Sequence, residues 1–415
     1  MQEQISSFLQ ERINVNDFPS AVYLVAEKGE IVYQDALGYA VVEPERIEAK
    51  IDTIYDLASL TKPLVTGLLA ALSVDDGELD VSGVIKDYLG TASLDWQQGT
   101  TIGSLLFHCS KLPAWKPFYL LVDDPSDIAE YILATPLYPD QEAVTYSDLN
   151  FILLSHIVTG RIGWPFDRIA NRKIFEPLGL KNTLFNPDPK LRFRIAASEK
   201  GNEYEKQTCI EQGYLQPFTP PRLRSAATPP TTHPKTGGEL RDWTASIPAC
   251  TDAERPNVPL KGGTLNLFRT ETIWGEVHDG NAYFMGGVAG HAGLFSTAEE
   301  AFKIAQQFLP NYTKLLKPET CELFRTNFTK GMNEDRSFAF QLASTKDSTA
   351  GTKMSPESFG HNGFTGTSLW IDPIKERIFV LLTNRTHNHP LPFVNINSVR
   401  RRFHDLAIDL LDKNR

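Results

Sequence analysis

Apolar positions along this chain follow two different spacings, one typical of helices and one typical of strands. Residues 2–13 place apolar side chains three and four positions apart, which predicts an amphipathic helix. Short runs rich in valine, isoleucine and tyrosine at 21–26 and 31–34 flank the turn Lys28-Gly29-Glu30 and predict a β-hairpin. A further short strand is predicted at 36–42.

The C-terminal part carries the clearest strand pattern. Residues 367–371 and 377–382 are apolar runs on either side of a polar, proline-containing turn at 372–376, which indicates an antiparallel pair. A capped helix is expected to begin at 296–300, where serine and threonine precede two glutamates. A last amphipathic helix is expected from Asn397 to Leu411.

The middle of the chain has a different character. Residues 80–185 are mostly of helical pattern, and 215–262 are rich in proline and threonine without a steady period, as in a long loop or insertion. The pattern therefore favours an α+β fold with an antiparallel sheet flanked by helices. We expect one sheet domain built from 1–75 and 295–415, and an inserted, mainly helical domain at 76–294.

Composition narrows the class of function. The chain has 415 residues, 41% of them hydrophobic, and a formal net charge of −10, which argues against nucleic acid and anionic membranes as main partners. No apolar stretch approaches the roughly 20 residues of a membrane span, and residues 1–10 have neither a basic start nor an apolar core of a secretory signal. We therefore expect a cytoplasmic protein. Free thiols are expected rather than two disulfides at the four dispersed cysteines, Cys109, Cys209, Cys250 and Cys321.

The sequence Ser59-Leu60-Thr61-Lys62 is the first candidate for chemistry. A serine hydroxyl needs a nearby base to become a strong nucleophile. If Ser59 opens a helix, Lys62 lies one turn later on the same face and could act as that base if its surroundings keep part of it neutral. Pro63 fits the first turn of an apolar helix that follows. A solvated helix start is the alternative interpretation.

Two further segments could complete a serine site. In Tyr146-Ser147-Asp148 a tyrosine could transfer protons and Asp148 could hold Lys62, although the serine or aspartate could equally cap the following helix. In His361-Asn362-Gly363-Phe364 a glycine lets backbone approach a substrate closely, so that the Phe364 N–H, with that of Ser59, could bind an oxyanion. A glycine-rich loop without function is the alternative there.

The order of these three segments resembles the penicillin-recognising serine hydrolases. The similarity is greatest to the branch that contains class C β-lactamases, family VIII carboxylesterases and D-amino-acid-specific peptidases. It covers residues 15–410, and the flanking text at 54–62, 105–113 and 287–297 is similar as well. The resemblance implies a β-lactamase/transpeptidase-like fold and an acyl-enzyme mechanism.

The resemblance also implies a role for each residue. Ser59 would be the acylated nucleophile, Lys62 its base partner and Tyr146 a second proton-transfer group. The N–H groups of Ser59 and Phe364 would form the oxyanion hole, next to Gly363.

Two departures from the β-lactamase pattern change the expected substrate. Asp148 stands where β-lactamases carry asparagine, and His361 stands where they carry the lysine that attracts a carboxylate. A histidine supplies little positive charge at neutral pH unless its pKa is raised. Both residues are expected to support the substrate, and both favour an esterase or a peptidase over a β-lactamase.

Other candidates are weaker. Lys235-Thr236-Gly237-Gly238 has the letters of the third β-lactamase motif, but no strand pattern follows it. His387-Asn388-His389 has no identifiable third metal ligand, and the glycine-rich run at 286–293 lacks the lysine of a phosphate-binding loop. His291 is expected only near the edge of the site, and His108 at the end of a core helix. No metal or cofactor is expected.

The sequence therefore predicts a serine hydrolase that cleaves a small-molecule ester or amide, with a carboxylesterase first. A β-lactamase and a D-amino-acid-specific peptidase are the alternatives within this class. A catalytically silent binding or scaffold protein on the same fold is the alternative of another class. The sequence indicates no oligomeric state.

Overall fold

One antiparallel sheet receives strands from both ends of the chain in the computed structural model, which describes residues 2–89, 99–138, 143–215 and 268–413. The strands of the described residues are β1 (Ser20–Glu27), β2 (Glu30–Val41), β3 (Ile47–Glu48), β4 (Tyr55–Asp56), β5 (Phe295–Ser296), β6 (Gln341–Leu342), β7 (Phe359–Asn362), β8 (Ser368–Asp372) and β9 (Arg377–Thr383). Seven of them form the main sheet in the order β3-β2-β1-β9-β8-β7-β6, and β4 pairs with β5 separately.

Helices cover the sheet and fill the middle of the chain. The α-helices are α1 (Gln2–Asn14), α2 (Leu68–Asp75), α3 (Lys86–Leu89), α4 (Ile102–Leu106), α5 (Phe118–Leu121), α6 (Ile128–Ala134), α7 (Asp148–Ile162), α8 (Phe166–Ala170), α9 (Glu203–Glu211), α10 (Gly280–Phe284), α11 (Ala298–Ala305) and α12 (Asn397–Lys413). Shorter 3₁₀ turns lie at Ala58–Leu60, Pro125–Asp127, Pro189–Arg194, Gln306–Phe308 and Pro318–Phe324, and π-helical turns at Lys62–Gly67 and Asn171–Phe175. None of the helices described is long and apolar enough to span a bilayer.

Strand β1 shows why the sheet is buried on both faces. Its side chains alternate between two hydrophobic clusters, as the two-residue period of a strand requires. One set packs with α2, α7 and α11, and the other with α1 and α12. The two sets are Val22, Leu24 and Ala26, and Ala21, Tyr23 and Val25. On this sheet, β7 contacts the turn Ala58–Leu60, which carries Ser59.

The predicted strands and terminal helices lie within a few residues of the observed ones, and the α+β prediction is confirmed by the observed sheet. The separate strand predicted at 36–42 is wrong. It belongs to β2, which pairs with β1 from Glu30 to Gly38 without a break, although the register shifts once beside Ala26. This register shift is a bulge between Val25 and Ala26, and it does not end β2.

The division into a sheet domain and a helical domain stays a prediction. The proline-rich stretch lies outside the described residues except for residue 215, and Lys235 lies outside them too. Of the cysteines, the three described ones, Cys109, Cys209 and Cys321, are free thiols.

Candidate active site

Ser59 lies in a strained turn between β4 and the helix that follows. The preceding residue, Ala58, has a φ of +48°, a left-handed conformation that is unfavourable for a residue with a Cβ. The carboxylate of Asp56 stabilises this turn, because it accepts hydrogen bonds from the N–H of Ala58 (2.8 Å) and from the N–H of His278 (2.7 Å). The turn leaves Ser59 partly exposed while its neighbours are buried.

Lys62 begins the π-helical turn that leads into α2, and its side chain is fully buried. Its Nζ atom lies 3.0 Å from Ser59 Oγ, 3.0 Å from the carbonyl oxygen of His291 and 2.6 Å from Asp148 Oδ1. The predicted one-turn spacing thus brings the ammonium group to the serine. The ammonium group thus donates to three oxygen atoms, two of which, those of Asp148 and His291, come from distant parts of the chain.

The environment of Lys62 keeps it charged. Burial alone lowers the pKa of Lys62, but the adjacent Asp148 carboxylate and Tyr146 hydroxyl outweigh burial and leave that pKa above its ordinary value. Lys62 is therefore an ammonium group at neutral pH. As such it donates hydrogen bonds, and it accepts no proton from Ser59 in this state.

Tyr146 lies directly above this pair. Its ring centroid is 4.9 Å from Lys62 Nζ, and its hydroxyl hydrogen-bonds with Lys62 and Ser59. Burial raises the pKa of Tyr146, and the Lys62 charge opposes this rise, whereas Asp148 adds to it. A proton that leaves Ser59 therefore finds the Tyr146 oxygen within hydrogen-bonding reach.

A second carboxylate, that of Asp279, lies beside Asp148. It caps α10 by accepting from the Ala282 N–H (2.8 Å), and it lies 3.0 Å from His291 Nε2. Burial opposes ionisation of Asp279, yet His291, the Ala282 N–H and Lys62 together hold its pKa far below the usual range. Asp148, Asp279 and His291 have potential metal ligands within 4.8 Å of one another. Lys62 contacts two of these residues, so its ammonium group already supplies a cation there.

The turn at residues 363–367 is hydrogen-bonded to the backbone that precedes Ser59. Thr365 Oγ1 donates to the carbonyl of Asp56 (2.8 Å), and Thr367 Oγ1 donates to that of Leu57 (3.0 Å). A Cβ on Gly363 would lie 2.0 Å from Thr367 Oγ1 and 2.5 Å from the Leu57 oxygen, so only glycine fits. This contact brings the backbone of Phe364 next to Ser59. Within the described parts of the chain, the Phe364 N–H has no hydrogen-bond acceptor.

His361 lies on β7 beside Tyr146, with 5.6 Å between the ring centroids. It is buried, and burial together with the nearby charges of Arg336 and Lys62 holds its pKa well below the usual range. His361 is thus a neutral side chain at neutral pH. It does not replace the charge of a lysine at this position.

A cavity of about 540 Å³ opens above Ser59. Tyr146, Asp148, His361, Gly363 and Phe364 all line it, so the structure places every predicted site residue except the buried Lys62 in its wall. Other walls come from helix α9, the loop before α5 and three arginines, namely Tyr204, Glu205, Thr208, Gln212, Trp115, Arg336, Arg385 and Arg400.

Sequence reasoning missed several residues of this site. Asp56 and Asp279 shape it through hydrogen bonds to backbone, and Arg336 and Arg400 are buried cations in its wall. The N-cap pattern of an aspartate before Gly280 could have indicated Asp279, whereas nothing local marked the arginines.

The predicted alternatives have other roles in the structure. His387 uses both ring nitrogens, one toward the Val42 N–H (2.8 Å) and one toward the Ser198 carbonyl (2.9 Å), which leaves neither for a metal. His291 contributes its carbonyl oxygen to Lys62. His108 is buried beside Tyr146 at the end of α4.

Known proteins are similar to this chain in sequence and in architecture. The model of the Beta-lactamase family matches residues 5–400. The chain is 29% identical to a "Putative D-alanyl-D-alanine carboxypeptidase" of Escherichia coli (strain K12), over 93% of this chain and 82% of that protein. It is 30% identical to a protein described in the same words from Salmonella gallinarum, over 93% of this chain and 83% of that protein.

Solved structures agree on the fold. A class C β-lactamase from Rhodobacter sphaeroides superposes with a TM-score of 0.63 at 16% identity, covering 98% of this chain and 99% of that one. The structure of "EstCE1, a hydrolase with promiscuous acyltransferase activity" superposes with a TM-score of 0.63 at 18% identity, covering 97% of each chain. The family model spans nearly the whole chain, and the chain accordingly belongs to the Beta-lactamase family and is a serine hydrolase.

Proposed function

We propose that this hydrolase cleaves carboxylic esters of small molecules through an acyl-enzyme on Ser59. One observation carries this proposal: Ser59 Oγ lies at the cavity, 3.0 Å from the Lys62 ammonium and within hydrogen-bonding reach of Tyr146. Nucleophile, proton acceptor and electrostatic partner are thus assembled around one point. The cytoplasmic location and the absence of a nucleic-acid partner stay predictions.

Tyr146 in its deprotonated form is the proton acceptor in this proposal, because Lys62 is already protonated and its charge stabilises the Tyr146 phenolate. Ser59 Oγ attacks the ester carbonyl carbon while its proton passes to Tyr146 in its phenolate form, which the Lys62 charge stabilises, and this transfer restores the Tyr146 phenol. The carbonyl oxygen becomes an oxyanion that the N–H groups of Ser59 and Phe364 bind. Collapse of this intermediate breaks the carbon–oxygen bond, and the departing alkoxide takes the proton from Tyr146.

Water completes the cycle by the same route. It attacks the acyl carbon and gives its proton to the Tyr146–Lys62 pair, and Ser59 regains that proton as the acid leaves. Asp148 keeps Lys62 charged throughout and fixes its position. Each proton that Tyr146 accepts is thereby returned within one turnover.

The neutral state of His361 favours an uncharged ester as substrate, since no cation stands at the position where β-lactamases hold a lysine. Asp148, an anion in place of asparagine, also disfavours a β-lactam carboxylate nearby. The β-lactamase alternative is therefore the weakest of the three.

A D-alanyl-D-alanine carboxypeptidase is the second candidate. The names of the relatives that are 29% and 30% identical favour it. Such a substrate ends in a carboxylate, and the buried guanidinium groups of Arg336 and Arg400 in the cavity wall supply positive charge.

A covalent probe tests the shared mechanism, and a substrate panel separates the candidates. We expect a fluorophosphonate to add one adduct to the wild type, as measured by intact mass, and none to Ser59→Ala. Ser73→Ala, which removes a buried hydroxyl in α2, is the control and should keep the adduct. Turnover of nitrophenyl esters, an acyl-D-alanyl-D-alanine and a chromogenic cephalosporin then ranks the substrates. Full ester turnover by Ser59→Ala would contradict the proposal.

A further inference from the structure

We infer that His108 is a positioning residue that fixes the place of Tyr146, an inference that rests on the role proposed for Tyr146. His108 lies in the loop after α4 and is fully buried. Its carbonyl oxygen accepts from the N–H of Thr145 (2.9 Å), and its Nδ1 accepts from the N–H of Ser147 (3.0 Å). The residues on both sides of Tyr146 are therefore bound to one side chain and its own backbone.

The hydrogen bonds determine which nitrogen of His108 carries the proton. A backbone N–H can only donate, so Nδ1 must be the unprotonated nitrogen. Asn150 Nδ2 also approaches Nδ1, at 3.1 Å, and this amide is oriented because its oxygen accepts from Ser110 Oγ (2.6 Å). The ring is thus neutral, with its proton on Nε2.

The surroundings of His108 preserve this neutral form. Burial lowers its pKa well below the usual range, and the charges of Arg336 and Lys62 on neighbouring elements act in the same direction. The Nε2 atom has no partner among the residues that the structure describes. The function of the ring thus depends on Nδ1 as an acceptor and on the ring face.

The ring face of His108 packs against Tyr146 itself, with 4.6 Å between the centroids. The loop that follows His108 also binds the two residues after Tyr146. Ser147 Oγ donates to the Pro113 carbonyl (2.6 Å), and the Asp148 N–H donates to the Ala114 carbonyl (2.9 Å). The loop therefore serves as a template for the segment that carries Tyr146 and Asp148. A displacement of about 1 Å in such a group can reduce the rate about 100-fold.

Two substitutions by amide residues distinguish the role of Nδ1 as a hydrogen-bond acceptor from the role of the side chain's volume. Asparagine in His108→Asn can place its oxygen where Nδ1 lies, and asparagine tolerates the left-handed φ of +60° at this position. Glutamine in His108→Gln places its amide near Nε2 and leaves the Ser147 N–H without an acceptor. We expect His108→Gln to lose about 100-fold in kcat for a nitrophenyl ester with little change in KM, and His108→Asn to retain most of the wild-type kcat.

His404→Gln is the matched control, because His404 is also a fully buried histidine with an unpartnered Nε2, but it lies on α12 behind the sheet. It should lose thermal stability and keep kcat when assayed well below its melting temperature. Wild-type kcat in a folded His108→Gln variant would overturn the inference. If that variant does not fold, a folded His108→Asn variant with kcat reduced about 100-fold would overturn it equally. Either result leaves labelling of Ser59 intact, whereas failure of the proposed function would show as Ser59→Ala retaining turnover.

Discussion

The Nζ atom of Lys62 lies closer to Asp148 Oδ1, at 2.6 Å, than to the hydroxyl of Ser59, at 3.0 Å. The shortest contact of the Lys62 ammonium group is therefore its ion pair with Asp148 and not its hydrogen bond to the nucleophile. An asparagine at residue 148 would keep the hydrogen bond and remove the charge. The charge state of Lys62 thus depends on one carboxylate.

Asp148→Asn should shift the pH dependence of catalysis to lower pH. Asp148 raises the pKa of both Lys62 and Tyr146, so both pKa values fall when its charge is removed. The rising limb of kcat/KM against pH should then move down by on the order of one unit. Asp167→Asn, a change of an exposed aspartate on α8, should leave the profile in place. A limb that stays or moves to higher pH would contradict the role of Asp148.

Tyr146→Phe should reduce kcat far more than it changes KM. The substitution keeps the ring between His108 and His361 but removes the oxygen that receives the Ser59 proton. Loss of a general acid–base group costs about 10²- to 10⁴-fold in rate. Steady-state kinetics with a nitrophenyl ester measure both parameters, and Tyr283→Phe on α10 is the control. An undiminished kcat in this variant would show that Lys62, and not Tyr146, accepts the proton of Ser59.

Gly363→Ala should lower both activity and stability. Its Cβ would meet Thr367 Oγ1 at 2.0 Å and the Leu57 oxygen at 2.5 Å, so the turn that carries the Phe364 N–H must move away from Ser59. Removing one oxyanion donor costs about 10²- to 10³-fold in kcat. Gly99→Ala, where a Cβ meets nothing within 4 Å, should be nearly neutral. Thermal melts and ester kinetics on both variants decide this, and equal activities would refute a crowded turn at Gly363.

Glu205→Gln should make the protein more stable above neutral pH. Burial raises the pKa of Glu205 from 4.5 to about 7, so the folded state binds the proton more tightly than the unfolded state does. Stability from this group is present below pH 4.5 and is lost as pH rises to about 7. The loss is at most about 3 kcal/mol, at 1.36 kcal/mol per pKa unit. Urea unfolding of the wild type and Glu205→Gln should show a clearly larger difference in the free energy of unfolding at pH 8 than at pH 5. A constant difference would exclude Glu205 titration as its cause.

Local patterns made the fold largely predictable. The strands near both ends of the chain were predictable because their apolar residues, many of them β-branched, form short runs bounded by turns. The motif of Ser59 and Lys62 was also recognisable locally, since two residues spaced three apart on a helix lie on the same face. The prediction of a separate strand at 36–42 was wrong because one strand, β2, runs from Glu30 to Val41 without a turn.

Contacts between distant segments were not predictable in this way. The His291 carbonyl that binds Lys62 is 229 residues away in the chain, and Arg336 enters the cavity wall from a segment without any motif. No local periodicity encodes such contacts, because they arise from packing of complete elements.

The sequence by itself determined most of the elements, the α+β class and the one-turn spacing of Ser59 and Lys62, because short-range spacing and residue type carry that information. The place of Tyr146 beside them was implied by the resemblance to a known family. Only the tertiary structure decided the charges: Lys62 is protonated and His361 neutral. The physical reason is that a pKa depends on burial and on which charges lie within a few ångströms. Those distances exist only after both ends of the chain have met in one sheet.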